Sequence, residues 1–252
     1  MDIEVQILNK VITLKEPSFN DYKSLVKNLQ TTDNFINALN SFLENFTEVK
    51  SLNLLEKNLL LLNLRGLILG NELELNHDEK DYVFDINKLL DLFDKPYEYY
   101  EKEINGNVYT FDYIKDIYSS DNRLNFICDG LIKINGHNID ISLEEKLEIL
   151  PAINFIDLFD EIYNSMYTKD KIKLPFIDEP INITNLLSFV VIMFKTDLLD
   201  LYKLEYICRK ALNFNTLDFN TLTLPECRIL LNFHNEDIRK ENEQYNKLNN
   251  KQ

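Results

Sequence analysis

The sequence predicts an α+β protein that is predominantly helical and contains several short β-hairpins. Its 252 residues include 5 Gly and 6 Pro, which argues against an all-β protein because tight turns use both residue types. Apolar residues at helical spacing dominate long stretches near both ends of the chain. Two Asn-Gly pairs between alternating apolar residues mark hairpins in the middle. These observations favour helices as the main elements, with strands paired locally by short turns.

The first third of the chain is predicted to hold a hairpin and three helices. The hairpin turns at Asn9-Lys10, and Ser18 with Asp21 has the spacing of a helix-capping pair. The third helix is apolar nearly all round, which is typical of a helix buried in the centre of a domain. Gly70 follows it as a C-terminal cap. The expected strands and later helices are Val5–Leu8, Val11–Leu14, Asp33–Phe46 and Leu54–Leu69.

The middle of the chain changes to the two-residue period of strands. A second hairpin is predicted from Glu72–Leu75 and Tyr82–Ile86, and a short helix from Asn87–Phe93. Two further hairpins turn at Asn105-Gly106 and Asn135-Gly136. Their expected strands are Tyr97–Ile104, Val108–Tyr113, Leu131–Ile134 and Asn138–Ile141.

From Ser142 onward the pattern is helical, and capping residues mark several helix starts. Ser142 with Glu145 forms a capping box, Asp197 caps a later helix, and Thr223 precedes Pro225 and Glu226 at the start of the last helix. The last helix is expected to fray beyond Lys240. Its expected buried face consists of Cys227, Leu230, Leu231, His234 and Ile238. The other elements expected here are helices at Ile153–Tyr167 and Thr184–Phe194 and an extended connector at Lys169–Pro180.

Soft boundaries near residues 95 and 180 divide the predicted elements into three regions. Residues 1–95 hold the N-terminal hairpin and helices, residues 96–180 the middle hairpins and helices, and residues 181–252 the C-terminal helices. One compact domain is the alternative to this division.

Charge and cysteine usage limit the classes of partner. A net charge of −15 and a pI near 4.7 argue against binding to nucleic acid or to an anionic membrane surface. The three cysteines are far apart in sequence, which favours reduced, buried thiols in a reducing compartment. Neither a leader peptide nor a transmembrane segment is predicted. We therefore expect a soluble intracellular protein.

Residues that could carry catalysis or bind a metal do not form a recognisable motif. Cys227 and His234 lie about 10 Å apart along one helix, which is too far for a hydrogen bond. The acidic residues Asp157, Asp160 and Glu161 fit a solvated helix face better than a pair of catalytic carboxylates. A metal at the second hairpin is disfavoured, because a polar turn supplies such residues anyway; the residues concerned are His77, Asp78, Asp81 and Asp85. No enzymatic activity, cofactor or metal is therefore expected.

Three packing patterns follow one another along the chain. The opening hairpin runs into Leu14-Lys15-Glu16-Pro17-Ser18-Phe19-Asn20-Asp21-Tyr22, and the apolar third helix precedes a hairpin ending in Tyr82-Val83-Phe84-Asp85-Ile86. The third pattern runs from Asp197 through Tyr202 and Tyr206 to Leu224-Pro225-Glu226-Cys227-Arg228. In this order the chain resembles the baseplate-hub subunit and hub-assembly proteins of T-even-like contractile-tailed bacteriophages. Residues 95–170 do not share the resemblance.

The chain departs from that family at the hairpin after the third helix. Some members of the family carry a Cys-x-x-Cys knuckle there, which suggests a zinc clasp. This chain has Leu73-Glu74-Leu75-Asn76-His77 at the corresponding turn, without a cysteine. The resemblance therefore implies no zinc site in this protein.

The resemblance implies a role in phage tail morphogenesis, either as a component of the baseplate hub or as a chaperone for hub assembly. The implied partners are other baseplate-hub proteins, and the implied location is the host cytoplasm during assembly or the virion baseplate. A carboxylate-dependent enzyme with a cleft between its β-containing and helical parts, and an unrelated acidic adaptor, are the alternatives. The aromatic residues of the middle hairpin are the expected partner contacts: Tyr97, Tyr99, Tyr100, Tyr109, Phe111 and Tyr113.

Overall fold

Helices and short antiparallel strands alternate along the chain, which confirms the predicted α+β class with mainly helical content. The computed structural model describes residues 2–31, 35–49, 52–77, 80–95, 98–114, 123–150, 155–174, 178, 180–194 and 196–249. The strands are β1 (Asp2–Ile7), β2 (Lys10–Lys15), β3 (Glu72–His77), β4 (Lys80–Asp85), β5 (Tyr100–Ile104), β6 (Asn107–Phe111), β7 (Leu131–Ile134) and β8 (His137–Asn138). The helices are α1 (Phe19–Thr31), α2 (Phe35–Phe46), α3 (Leu54–Leu69), α4 (Asn87–Phe93), α5 (Arg123–Gly130), α6 (Leu143–Ile149), α7 (Phe155–Ile162), α8 (Ile183–Met193), α9 (Leu198–Leu212), α10 (Asp218–Thr221) and α11 (Leu224–Asn249). A π-helical turn at Tyr163–Tyr167 extends α7.

The first hairpin turns one residue earlier than predicted. Ile7 pairs with Lys10, so the turn is Leu8-Asn9 and not Asn9-Lys10. Leu8 adopts a left-handed φ of 53°, which costs a branched side chain on the order of 1–2 kcal/mol. The Leu8 N–H donates to Asp94 Oδ1 at 2.9 Å, just beyond the end of α4. This hydrogen bond offsets the cost of the left-handed conformation. Because Asp94 is distant in the sequence, the residues around the turn do not predict the contact.

Helix α3 runs through the core, as predicted, and its bounds and its Gly70 cap are confirmed. Asn53 and Glu56 form a capping box, with hydrogen bonds of 3.0 and 3.1 Å between each side chain and the other residue's N–H. The Glu56 carboxylate is 2% exposed and pairs with Lys10 Nζ at 2.5 Å. Arg65, also buried, donates to the backbone carbonyls of Met193, Gly70 and Glu72. These bonds tie the central helix to β2, α8 and β3.

The two Asn-Gly hairpins form as predicted and join in one sheet. Asn105 and Gly106 have φ values of 53° and 80°, and Asn135 and Gly136 have φ values of 51° and 79°. Pairing of β6 with β7 brings the hairpins together in the strand order β5-β6-β7-β8. The predicted strand Asn138–Ile141 is wrong beyond Asn138, where β8 ends. The joining of the hairpins was not predicted, because their partner strands lie about 20 residues apart with α5 between them.

The N-terminal and C-terminal regions share one hydrophobic core. Helix α1 packs against α9, α10 and α11. The Phe19 N–H donates to the Leu222 carbonyl at 2.8 Å, and the Tyr22 hydroxyl is hydrogen-bonded to the Phe194 carbonyl at 3.3 Å and to the Thr196 hydroxyl. Buried side chains from residues 1–95, 96–180 and 181–252 belong to a single cluster. The region boundaries are therefore not boundaries of the core.

The last helix starts as predicted but is oriented differently. The Thr223 N–H donates to Glu226 Oε2 at 2.8 Å, and the Glu226 N–H donates to Thr223 Oγ1 at 3.3 Å. Cys227 and Leu231 are buried, whereas Leu230 and Ile238 are 37% and 42% exposed, so the predicted face is wrong at these two positions. Leu230 lies at the edge of the buried face, and Ile238 is in line with Cys227 but in a stretch of α11 whose described side chains after His234 are exposed. Helix α11 extends to Asn249, and the fraying expected beyond Lys240 stays a prediction.

Candidate protein-binding surface

The aromatic residues of the middle hairpin, which were predicted to contact a partner, do not form one exposed surface. Tyr97 lies outside the described residues. Tyr109 and Phe111 are 3% and 0% exposed, so the expectation that they contact a partner is corrected. They fill the core beneath the four-stranded sheet, where the Phe111 ring lies 6.3 Å from that of Tyr100. The aromatic density of this hairpin reflects the core of a larger sheet than the sequence predicted.

The remaining members of this group divide between internal hydrogen bonding and exposure. The half-buried Tyr100 and Tyr113 hydroxyls donate to Glu161 Oε2 at 2.8 Å and to the Met166 carbonyl at 3.3 Å. Burial, with the bond to Glu161, raises the pKa of Tyr100 to about 12. Tyr99 is 45% exposed, and Lys133 Nζ lies 5.3 Å from the centre of its ring. In this hairpin, therefore, a single described aromatic side chain of the predicted set is open to a partner.

A larger exposed apolar area lies on α9. Leu199, Tyr202, Tyr206 and Ile207 are between 47% and 64% exposed, although all four are large apolar residues. At about 100° per residue they occupy one side of the helix, and the buried Leu201 and Cys208 occupy the other. We call Leu199, Tyr202, Tyr206 and Ile207 the α9 ridge.

A second exposed apolar area lies on α11, which packs against α9. Ile229, Leu230 and Phe233 are 49%, 37% and 59% exposed, and Phe233 lies about 160° around the helix from the buried Leu231. We call Ile229, Leu230 and Phe233 the α11 ridge. Of fifteen exposed large hydrophobic side chains in the described parts of the chain, seven lie on these two ridges.

The two ridges differ in the charges beside them. Lys203 and Lys210 are exposed on the same side of α9 as its ridge. On α11 the exposed carboxylates of Glu226, Glu236 and Asp237 outnumber the basic groups beside the ridge, where Arg228 is also exposed and Lys240 lies 3.6 Å from Asp237. An apolar strip with acidic flanks suits a partner whose own apolar residues are surrounded by basic groups.

Capping and packing hold both ridges on rigid elements. The Asp197 carboxylate accepts from the Leu199 N–H at 2.9 Å at the start of α9, and the Thr223–Glu226 box fixes the start of α11. The thiols of Cys208 and Cys227 contact each other between the two helices, and burial raises the pKa of Cys227 to about 12. The apolar side chains are thus presented by a preformed surface and not by a loop.

A sequence signal for these ridges exists but is ambiguous. Both α9 and the first half of α11 carry more apolar residues than one buried face requires. Sequence reasoning assigned Leu230 and Ile238 to the core, because spacing alone does not distinguish a side chain that meets the core from one that meets another protein.

A cleft of about 340 Å³ lies between the N-terminal hairpin and the middle region. Its apolar lining includes Leu55, Phe93 and Ile183. The two carboxylates at its rim are ion-paired, since Asp170 lies 2.5 Å from Lys95 and Glu98 lies 3.4 Å from Lys169. None of the described residues that line the cleft belongs to the α9 or α11 ridge.

The described residues form neither a metal-binding cluster nor a membrane-spanning helix. No cluster of three or more His, Cys, Asp or Glu residues with suitable geometry occurs among them. Of the four hairpin residues considered for a metal, Asp78 and the His77 side chain lie outside the described part of the chain. None of the described helices combines the length and the apolar character that crossing a membrane requires.

Comparison with protein-family models, with characterised proteins and with solved structures gives no significant match for this chain.

Proposed function

We propose that this protein is a baseplate-hub component or hub-assembly chaperone of a contractile-tailed bacteriophage, and that it acts by binding other proteins through the α9 and α11 ridges. The observation that carries the proposal is the concentration of seven exposed large apolar side chains on two adjacent, capped helices. Single exposed hydrophobic residues are ordinary, but such a concentration is typical of protein-binding surfaces.

The resemblance to the phage family supports the same surface. Tyr202 and Tyr206 belong to the third packing pattern that carries the resemblance, and both lie on the α9 ridge. Tyr is enriched at protein interfaces because its ring buries a large area while its hydroxyl remains hydrogen-bonded. The ridges are therefore our first choice for contact with a hub protein.

The partner is expected to be basic where it meets α11. The chain carries a net charge of −15, and the carboxylates of Glu226, Glu236 and Asp237 flank the α11 ridge. Opposite charge at the rim of an interface mainly raises the association rate and makes it depend on salt. Association with a hub protein should therefore slow as salt concentration rises.

A double variant tests the surface directly. Tyr206→Ser with Phe233→Ser removes one aromatic side chain from each ridge without touching the core. Because both rings are mostly exposed, thermal unfolding should match the parent, whereas co-purification with hub proteins from infected cells should be lost. The matched control is Val83→Ser with Leu217→Ser, two side chains that are 67% and 71% exposed elsewhere. Equal co-purification by both double variants would overturn the assignment of the surface.

Deletion of the gene tests the biological role. Infected cells should accumulate heads and lack completed tails, and the parent gene supplied in trans should restore tails. Normal tails in the deletion mutant, with a defect elsewhere in infection, would favour the acidic adaptor and would leave the ridges as a surface for another partner. A metabolic defect that the ridge variant rescues fully would favour the enzyme, whose candidate cleft lies apart from both ridges.

A further inference from the structure

The outer edge of β1 carries backbone groups that point away from its hairpin. Ile7 and Lys10 close a two-residue turn and therefore form a hydrogen-bonded pair. From this pair onward, hydrogen-bonded and non-hydrogen-bonded residue pairs alternate along the antiparallel strands. The N–H and C=O groups of Ile3, Val5 and Ile7 therefore face β2. Those of Glu4 and Gln6 face the opposite edge, which pairs with no other strand in the described parts of the chain.

A groove of about 430 Å³ runs beside this edge. Four consecutive β1 residues, Ile3 to Gln6, line it over about 13 Å at the usual rise of a strand. Its apolar lining includes Leu67 of α3 and Leu90 of α4, both half-buried. The groove is thus long enough for a short extended segment and offers it an apolar contact.

Three asparagine side chains surround the groove: Asn63, Asn71 and Asn87. A primary amide both donates and accepts, which matches the peptide groups of an extended chain. Gly66 makes room for one of them, because a Cβ at that position would collide with the Asn71 side-chain oxygen. Edge backbone, amides and apolar floor together have the character of a site for strand addition.

The charge of the groove selects among possible occupants. Of the described residues that line it, Glu4 is the charged one, and the exposed Asp2 precedes it on the same face of β1. Antiparallel pairing of β1 with β1 of a second copy would bring these carboxylates together, and like charges opposite one another destabilise a pair of strands. Lysine or arginine at the same positions of an incoming strand would stabilise it.

We propose that the β1 groove binds an extended segment of a partner protein, with basic residues at alternating positions, as a third strand on the outer edge of β1. This site is separate from the α9 and α11 ridges and does not depend on the proposed phage function. The outward N–H and C=O groups of Glu4 and Gln6 provide the main-chain hydrogen bonds, and the asparagines bind the other side of the segment.

Synthetic peptides and a proline variant test the proposal. Fluorescence anisotropy would compare an alternating Lys-Val peptide with a Glu-Val peptide and with a Lys-Val peptide of equal charge whose backbone amides are all N-methylated. The Lys-Val peptide should bind and the Glu-Val peptide should not, whereas the N-methylated peptide should bind at least tenfold more weakly because it has no backbone donors for β1. Equal binding of the Lys-Val peptide and its N-methylated form would mean attraction by net charge alone and would overturn the proposal.

Gln6→Pro removes an outward N–H and leaves the β1–β2 hydrogen bonds in place, because proline is tolerated on the free side of an edge strand. It should weaken Lys-Val binding at least tenfold, whereas the ridge variant Tyr206→Ser with Phe233→Ser should bind as the parent does. In the parent, bound peptide should slow amide exchange at Glu4 and Gln6. Unchanged binding and exchange would refute the site, and a parent dimer that Gln6→Pro converts to monomer would assign the groove to a second copy.

Discussion

Arg65 shows how a charged side chain is accommodated inside the central helix. It is 4% exposed, and its guanidinium donates hydrogen bonds to three backbone carbonyls, two of which lie just after the end of α3. Arg65→Met keeps the length of the side chain and removes these donors. We expect a loss of about 2–4 kcal/mol in the free energy of unfolding, because buried carbonyls lose their partners.

Urea unfolding followed by circular dichroism would measure this loss, since the chain contains no Trp to report by fluorescence. Arg239→Met is the matched control, because Arg239 is 74% exposed on α11 beside Glu243. It should change the free energy of unfolding by less than about 0.5 kcal/mol. Similar losses in the two variants would contradict the role assigned to Arg65.

The hydroxyls of Tyr113 and Tyr167 make stability fall at alkaline pH. Burial raises the pKa of Tyr113 from 10.0 to about 12, and burial also raises the pKa of Tyr167 well above its ordinary value. In the unfolded chain these groups release their protons near their ordinary pKa, whereas the folded state retains them. The stabilisation is thus complete below pH 10 and declines as the pH rises toward 12.

The urea midpoint should therefore fall as the pH rises from about 9 to about 11.5. Each proton that only the folded state retains lowers the free energy of unfolding by up to about 1.4 kcal/mol per pH unit. Tyr113→Phe should make the decline shallower than in the parent. Identical slopes for the two proteins would show that Tyr113 ionises alike in the folded and unfolded states.

At the scale of single elements, the cap of α11 can be tested by removing one hydroxyl. Thr223→Ala deletes the oxygen that accepts the Glu226 N–H at 3.3 Å. The free energy of unfolding should decrease by about 1 kcal/mol, the usual contribution of a helix N-cap. Thermal denaturation would detect it, and Thr223→Ser, which keeps the hydroxyl, should behave as the parent.

An aspartate should destabilise the protein on the buried side of α11 and not on its exposed side. Leu231→Asp places a carboxylate against the core and should cost more than about 3 kcal/mol in unfolding free energy, because Leu231 is 7% exposed. Phe233→Asp changes an exposed ring two residues later and should leave the thermal transition nearly unchanged while abolishing partner binding. Equal destabilisation by both variants would contradict the orientation of the helix.

Elements with a local signal could be predicted from the sequence, and their long-range relations could not. Gly70 ends α3, Asp197 starts α9, and the Asn105-Gly106 turn forms as expected, because each depends on nearby residues alone. The Leu8-Asn9 turn depends on Asp94, which lies far along the chain. The exposure of Tyr206 and Phe233 could not be predicted either, because helical spacing does not show whether a helix face packs against the core or remains open to solvent.

At the scale of the whole molecule, the shared core predicts a cooperative unit that needs the start of α11. A chain shortened to end at Leu222 loses the buried Leu224, Cys227 and Leu231 and should show no cooperative urea transition. A chain shortened to end at Lys240 loses a part of α11 whose described side chains are exposed. Its free energy of unfolding should stay within about 0.5 kcal/mol of the parent. Cooperative unfolding of the chain that ends at Leu222 would mean that the core does not need α11.

The hydrogen bonds from α1 to residues late in the sequence also determine when α1 can complete its packing during translation. The partner of Phe19, Leu222, is translated 203 residues later, and the partner of Tyr22, Phe194, is translated 172 residues later. At about 5–20 residues per second, a ribosome needs about 10–40 seconds to make that stretch. Throughout this interval the nascent chain carries the buried face of α1 without its final neighbours. Folding of the N-terminal third is therefore completed only after Leu222 has been synthesised, and termination before that residue leaves a chain whose first helix lacks these partners.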